Sequence, residues 1–423
     1  MKTKKRKYFT IRLSMLVFIA AVISLTACFS WTPPTDDAAE SEQPLASECM
    51  TEETSEKISV SDGEKIKEEP LEEVQVESQA EEILSSMSLE EKIYQMFIVA
   101  PEQLTGANPV TAAGEVTKHK LMEYPVGGLI YFEANIVSPE QIKEMLDSTQ
   151  SYAYEIEGLP LFLCVDEEGG RVAKIGNNTA FSVRRVPAMQ EITGERDAYE
   201  AGAAIGGYLS QFGFNVDFAP VADVLTNSGN TVIGDRSFGN DPDAVTRLAA
   251  SFSAGLHSEN ILSAFKHFPG HGATEADTHE GFAYTDKTYE ELLEAELKPF
   301  AAAEENNVDF VMAAHISVPE VTGDNTPCSL SHKMITEILR DELGYQGLVI
   351  TDALQMGAIT QSYTPQEAAV LSIQAGVDLL LMPQDLPAAF QGVLEAVEAG
   401  EITEERIDES VRRIIRTKCK NLG

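Results

Sequence analysis

Basic residues are scarce in this chain: 31 Lys and Arg stand against 68 Asp and Glu, a formal net charge of -37. Proteins that hold a phosphate backbone need a basic face to release counterions, so nucleic acid is excluded as the main partner. Cysteine is also rare, five in 423 residues, with no CxxC or other metal-ligand spacing. Cys49, Cys164, Cys328 and Cys419 therefore read as free or buried thiols, not as a disulfide framework. There is no HExxH pair for a helical zinc site and no GxGxxG or Walker-type loop for a nucleotide. What is present is the balance of a globular protein with a large core, 43% hydrophobic and 23% charged, which excludes disorder of the whole chain.

The first residues are basic (Lys2, Lys4, Lys5, Arg6, Lys7) and lead into an apolar run from Leu13 to Leu25. That run falls short of the roughly 20 residues that span a bilayer and has the layout of a secretion signal. It ends Leu25-Thr26-Ala27-Cys28, which resembles a bacterial lipobox. The resemblance implies a signal peptide over 1–27, lipidation at Cys28 and a membrane anchored through that lipid; an uncleaved anchor or soluble export are the alternatives. From Phe29 to about Ala80 the chain is rich in Glu, Ser, Thr and Pro without a sustained period, the composition of a solvated tether. The expected division is thus an acidic flexible tether over 28–82 and a folded unit over 83–423, a barrel without a further domain.

Eight apolar runs punctuate the folded part: 96–100, 126–132, 161–165, 216–220, 261–267, 309–315, 347–351 and 378–382. Between them, 197–212, 242–259, 289–305, 332–343 and 364–376 carry apolar residues at helical spacing. Near-continuous apolar strands alternating with helices indicate a parallel sheet covered on both faces. Eight repeats without a nucleotide fingerprint favour an α/β fold of the (β/α)8 TIM-type class. Asp166-Glu167-Glu168-Gly169-Gly170-Arg171, Asp223, Asp235-Arg236, Lys266-His267, His315 and Asp352 all follow strands closely, at the rim where this fold carries its active site.

The densest polar segment is Lys266-His267-Phe268-Pro269-Gly270-His271-Gly272-Ala273-Thr274-Glu275-Ala276-Asp277-Thr278-His279. Gly and Pro allow it to turn sharply over the barrel mouth. Its histidines have a structural alternative as satisfied loop residues. A metal site from His267, His271, Asp277 and His279 is a second alternative, opposed by Lys266 directly beside His267; no metal and no cofactor are expected.

The KHFPGHG and Asp-Thr-His elements, with Asp166-Glu167-Glu168-Gly169-Gly170-Arg171-Val172, Gly234-Asp235-Arg236-Ser237-Phe238 and Thr351-Asp352-Ala353-Leu354-Gln355-Met356, resemble glycoside hydrolase family 3, specifically its NagZ-type β-N-acetylglucosaminidases. The likeness runs from about Ser88 to Cys419. It implies a retaining hydrolase of terminal N-acetylglucosamine on peptidoglycan fragments or related glycosides. Asp352 would be the nucleophile, His279 the acid/base and Asp277 its orienting carboxylate. Asp166, Arg171, Arg236, Lys266 and His267 match positions that hold the sugar. Thr278 stands where the family commonly has Ser, and Ala353 where it has a second acidic residue. Independently of the likeness, a retaining glycosidase needs an ionised carboxylate and a proton donor that later acts as base, and a His beside a carboxylate can be that donor. Arg171, next to two glycines, is expected to be free to reach a sugar oxygen. Two competing readings remain at this point: a non-catalytic lipoprotein that binds sugars or muropeptides, and a β-glucosidase of the same family.

Overall fold

The computed structural model describes residues 71–274 and 283–422. Cys28, Asp277 and His279 lie outside the described residues. Eight short parallel strands succeed one another: β1 (Phe97–Val99), β2 (Gly128–Ile130), β3 (Phe162–Val165), β4 (Val216–Asp217), β5 (Leu262–Phe268), β6 (Phe310–Ala313), β7 (Leu348–Thr351) and β8 (Leu380–Leu381). Each falls on an expected apolar run, β5 reaching one residue further. Neighbours pair in chain order from β1 to β7, and β8 pairs with β1. A parallel bridge between Ile350 and Leu379 then sets β7 beside β8 and closes the sheet. The fold is a (β/α)8 barrel.

Every residue of these strands is buried, because side chains on one face fill the barrel and those on the other meet the surrounding helices. The rings of Phe162 and Phe218 stand edge-on to Phe310, with centroids 5.4 and 6.3 Å away, which is the favoured geometry for aromatic pairs. Cys164 and Cys328 are buried free thiols. No helix among the described residues is long and apolar enough to cross a membrane.

The longer helices are α1 (Leu71–Ser86), α2 (Pro139–Glu157), α3 (Glu195–Phe212), α4 (Pro242–His257), α5 (Pro365–Ala375), α6 (Leu386–Glu398) and α7 (Glu404–Asn421), with shorter helical segments between, Lys333–Glu342 among them. α5 shows why the sequence stops and starts them where it does. Thr364 Oγ1 accepts the Glu367 amide at 3.2 Å, Glu367 Oε2 accepts the Thr364 amide at 2.8 Å, and Gly376 ends the helix at φ +109°.

Two expectations are corrected. The expected helix over 289–305 is broken into Tyr289–Glu294 and Lys298–Ala301, because Pro299 has no amide to donate and fits only the first turn of a new helix. The folded unit also begins before residue 83. α1 lies against α7 through Glu81–Arg412 at 3.0 Å and Glu77–Arg416 at 3.5 Å, and Ala80 and Leu84 are buried in the main core. Ala80, Ile83 and Leu84 supply one narrow apolar face at i, i+3 and i+4, hidden in the sequence among glutamates that belong to the solvent side.

Candidate active site

All the strand-end polar groups sit at the carboxyl ends of the barrel strands. After β3 the chain passes Asp166 and enters a small ribbon, Glu167–Gly169 against Val172–Ala173. Successive strand side chains point to opposite faces, so the two glutamates part company. Glu167 turns under the ribbon and accepts the Ile175 and Gly176 amides at 2.9 and 2.7 Å and the Tyr208 hydroxyl at 2.8 Å. Glu168 faces the barrel mouth.

Lys266 and His267 both line the mouth although they are consecutive on β5. A regular strand would hide one of them, but the register of β5 against β6 shifts between Lys266 and Phe268, and such a bulge re-aims side chains. Lys266 Nζ, buried, donates to Asp166 Oδ1 at 2.8 Å and lies 2.7 Å from Glu168 Oε1. Arg236 grips Glu168 with two bonds of 2.8 Å, from Nε to Oε2 and from Nη2 to Oε1. Burial works to raise the Glu168 carboxyl, yet the Arg236 and Lys266 charges outweigh it and hold it well below the usual carboxylate range. Burial likewise works to lower Lys266, but Asp166 and Glu168 hold it above an ordinary lysine. Both groups are therefore charged at neutral pH.

His267 is fixed from below. Its Nδ1 lies 2.7 Å from Asp223 Oδ2, and its own amide and that of His271 donate to the same carboxylate at 3.2 and 2.5 Å. Burial would raise Asp223, but His267 beside it brings its carboxyl below normal. An Nδ1 proton held by a carboxylate leaves Nε2 as the acceptor of the neutral ring. His271 Nδ1 lies 3.0 Å from Thr274 Oγ1, and burial, with His267 nearby, lowers its pKa. Among the described residues no group of three or more His, Cys, Asp or Glu is arranged to hold a metal ion.

Asp352 follows β7. Its amide donates to Ala313 O at 2.8 Å and its Oδ1 accepts the Ala353 amide at 2.7 Å, so the backbones of β6 and of its own turn orient the carboxylate. Asp166, Glu168, Arg236, Lys266, His267, His271 and Asp352 share one cavity of about 410 Å³, walled on its apolar side by Ile130, Phe132, Met312, Met356, Leu381 and Met382. The cavity is sized for a small polar molecule and offers it donors, acceptors and a carboxylate.

Arg171 is not among the residues lining this cavity. Its Nε pairs with Asp235 Oδ1 at 2.9 Å, and its Nη2 donates to the carbonyls of Thr231, Val232 and Ile233 at 3.0, 2.6 and 3.1 Å. The chain itself requires a glycine before it: a Cβ on Gly170, at φ +53°, would come within 2.7 Å of Ala188 Cα. Arg171 thus ties down the loop that carries Arg236. Glu168 and Asp223 are the residues that sequence reasoning passed over. Both were noted at strand ends, but only the fold shows which acid of the Glu-Glu pair faces in, or that Asp223 lies under a histidine 44 positions away.

Residues 88–417 match the model of the glycosyl hydrolase family 3 N terminal domain. The chain is 34% identical over 324 residues to beta-hexosaminidase A of Pseudoalteromonas piscicida, covering 71% of this chain and 54% of that protein. It is also 34% identical over 282 residues to a beta-hexosaminidase of Idiomarina loihiensis, covering 66% of this chain and 82% of that one. Among solved structures, it superposes on a glycoside hydrolase family 3 beta-N-acetylglucosaminidase from Paenibacillus sp. str. FPU-7 with a TM-score of 0.74 at 35% identity, over 80% of this chain and 64% of the other. The chain therefore spans little more than half of the Pseudoalteromonas relative and under two thirds of the Paenibacillus one. A strand-end cluster on a (β/α)8 barrel, and a family match over most of the chain, lead to one assignment: the chain belongs to glycosyl hydrolase family 3.

Proposed function

We propose that the protein is a retaining β-N-acetylhexosaminidase, releasing terminal non-reducing N-acetylglucosamine from peptidoglycan fragments or related glycosides. The observation that carries this is the convergence of Asp166, Lys266, His267, Arg236 and Asp352 on one cavity at the carboxyl end of the barrel; the relatives named as hexosaminidases support the choice of sugar. Asp352 attacks the anomeric carbon as the glycosidic C–O bond breaks, and His279 gives its proton to the departing oxygen. The resulting glycosyl ester on Asp352 is then hydrolysed by water that His279, now neutral, deprotonates. Asp277 holds the imidazole in the required tautomer and stabilises the imidazolium. Lys266, Asp166, Arg236 and His267 hold the hydroxyl and acetamido groups, in geometry already fixed by the Lys266–Asp166 pair and by the bonds of Arg236 to Glu168 and of His267 to Asp223, so little ordering remains on binding.

The N-terminal pattern supports export and lipid anchoring through Cys28, which would set this chemistry at the outer face of the cell membrane. A 5-fluoro N-acetylglucosaminide with a good leaving group tests the mechanism: it should leave an adduct on Asp352. Replacing His279 by Ala should slow poor leaving groups far more than activated aryl ones, with azide restoring the second step. An adduct on Asp166 or Glu168, or equal loss on good and poor leaving groups, would refute the assignment.

A further inference from the structure

One strand-end histidine has no part in the chemistry described so far. His315 lies two residues beyond Ala313, where β6 ends. It is fully buried and is not among the residues lining the cavity. Its Nε2 lies 3.0 Å from Ala353 O and its Nδ1 2.7 Å from Ser329 Oγ. A carbonyl can only accept, so Nε2 carries a proton. In the neutral ring Nδ1 is then the acceptor and takes the Ser329 hydroxyl. Ser329 is buried too, and its amide donates to Ala314 O at 3.1 Å, which fastens the serine to the same strand end as the imidazole it orients.

The carbonyl that His315 reaches belongs to the residue after Asp352. The ladder between β6 and β7 runs as far as Ala313 and Thr351, so Asp352 is the first residue beyond it. There the two chains are joined by the Asp352 amide, which donates to Ala313 O at 2.8 Å, and by the imidazole. The Ala353 amide donates to Asp352 Oδ1 at 2.7 Å. Ala353 is thus held on both sides, its amide on the carboxylate and its carbonyl on His315. Further along the turn, the Leu354 and Gln355 amides donate to the carbonyls of Leu381 and Met382 at 2.9 and 3.0 Å. The turn that carries Asp352 is clamped by backbone to β8 and by a side chain to β6.

We propose that His315, oriented by Ser329, is a positioning residue for Asp352: it holds the Ala353 carbonyl so that the Ala353 amide fixes the direction of the attacking carboxylate. The proposal rests on reading Asp352 as the nucleophile. Attack requires the carboxylate oxygen to stand close to the anomeric carbon and in line with the departing bond, so a small displacement of the turn costs rate. Asp166, Lys266 and Arg236 stand on other elements and are fixed by their own ion pairs. Loss of the imidazole bond therefore slows formation of the glycosyl ester and leaves sugar binding as it was.

The test compares the parent protein with His315→Leu and His315→Gln on aryl N-acetylglucosaminides, with free N-acetylglucosamine as competitive inhibitor and the 5-fluoro N-acetylglucosaminide as label. In His315→Leu, kcat/KM should fall about 30-fold, the scale of a slightly misplaced reacting group. The fall should be the same for good and poor leaving groups, because the nucleophile acts on both, and labelling of Asp352 should slow in step. The inhibition constant of N-acetylglucosamine should stay where it was. His315→Gln, which can still donate to the Ala353 carbonyl, should recover much of the rate. Should His315→Leu not fold, Ser329→Ala carries the test: without the hydroxyl the ring proton can move to Nδ1, and a smaller fall with the same pattern is expected. Unchanged kcat/KM in His315→Leu or Ser329→Ala, a Gln variant no faster than the Leu one, or a loss matched by weaker N-acetylglucosamine binding overturns the proposal and leaves the hydrolase reading intact. A parent protein labelled at a residue other than Asp352 overturns both.

Discussion

Replacing Glu168 by Gln removes one charge from the floor of the cavity while keeping the side chain's shape. Glu168 accepts two bonds of 2.8 Å from Arg236 and lies 2.7 Å from Lys266. The amide can keep an oxygen toward one cation, but its NH2 then confronts Arg236 Nε, donor against donor. Lys266 retains Asp166 at 2.8 Å, whereas Arg236 loses its Nε bond and the charge it faced, keeping one bond from Nη2 to the amide oxygen and the Val232 carbonyl at 3.3 Å. Breaking a buried ion pair by removing one partner costs about 3–5 kcal/mol. For a domain of this size that lowers Tm by on the order of 10 °C. The folded carboxyl is held below its unfolded value, so its contribution is present in full above about pH 5 and fades as pH falls through about 4 and lower. Denaturant melts of both proteins from pH 8 downward should show a constant gap that narrows only below about pH 4.5. Because Arg236 and Lys266 are expected to hold the sugar, KM should rise along with the loss of stability. A gap below about 1 kcal/mol with an unchanged KM would show that Arg236 and Lys266 hold their positions without Glu168, and would refute the reasoning.

Two further outcomes are expected. A chain beginning at Lys67 should match the full chain in Tm and turnover, whereas one beginning at Ser88, which lacks α1 and with it buried Ala80 and Leu84, should lose on the order of 2 kcal/mol of stability in denaturant melts; equal stability of the two would show that α1 is dispensable. Cys28→Ala should abolish incorporation of a fatty-acid analogue in the expressing bacterium, and unchanged labelling would remove the case for a lipid anchor.

The fold was legible because its strands are buried on both faces and so read as apolar runs, and because Thr364, Pro365 and Gly376 mark helix ends by local chemistry alone. Asp166, Arg236, Lys266, His267 and Asp352 were legible as strand-end polar residues, and the structure brings them to one cavity. What escaped depends on facing and long-range partners. Glu167 and Glu168 are the same residue type side by side, and only the pleat decides that one braces a ribbon while the other binds two cations. Arg171 looked free beside two glycines, but Asp235 and three carbonyls lie within its reach. Asp223 acquires its role from a histidine on the next strand. The break near Pro299 carried a local signal, which the longer helical period obscured.

The opposite end of the barrel shows why charge alone could not have located the site. Asp378, just before β8, is buried and accepts bonds from Arg340, the Val349 amide, Ser410 at 2.7 Å and Arg413 at 3.2 Å. Burial would raise its carboxyl, but Arg340 first and Arg413 next hold it below normal, the same balance that governs Glu168. Chemically the two clusters are alike, a buried carboxylate between cations. They differ in access: Asp378 has both oxygens occupied by its own chain and lines none of the site cavity, whereas the cations around Glu168 border about 410 Å³ of space with Asp352 across it. Carboxyl-end loops in this fold are free to vary without disturbing the sheet. A charge cluster there can stay open to a ligand, while the one beneath the barrel stays closed and fastens β7 and β8 to α7.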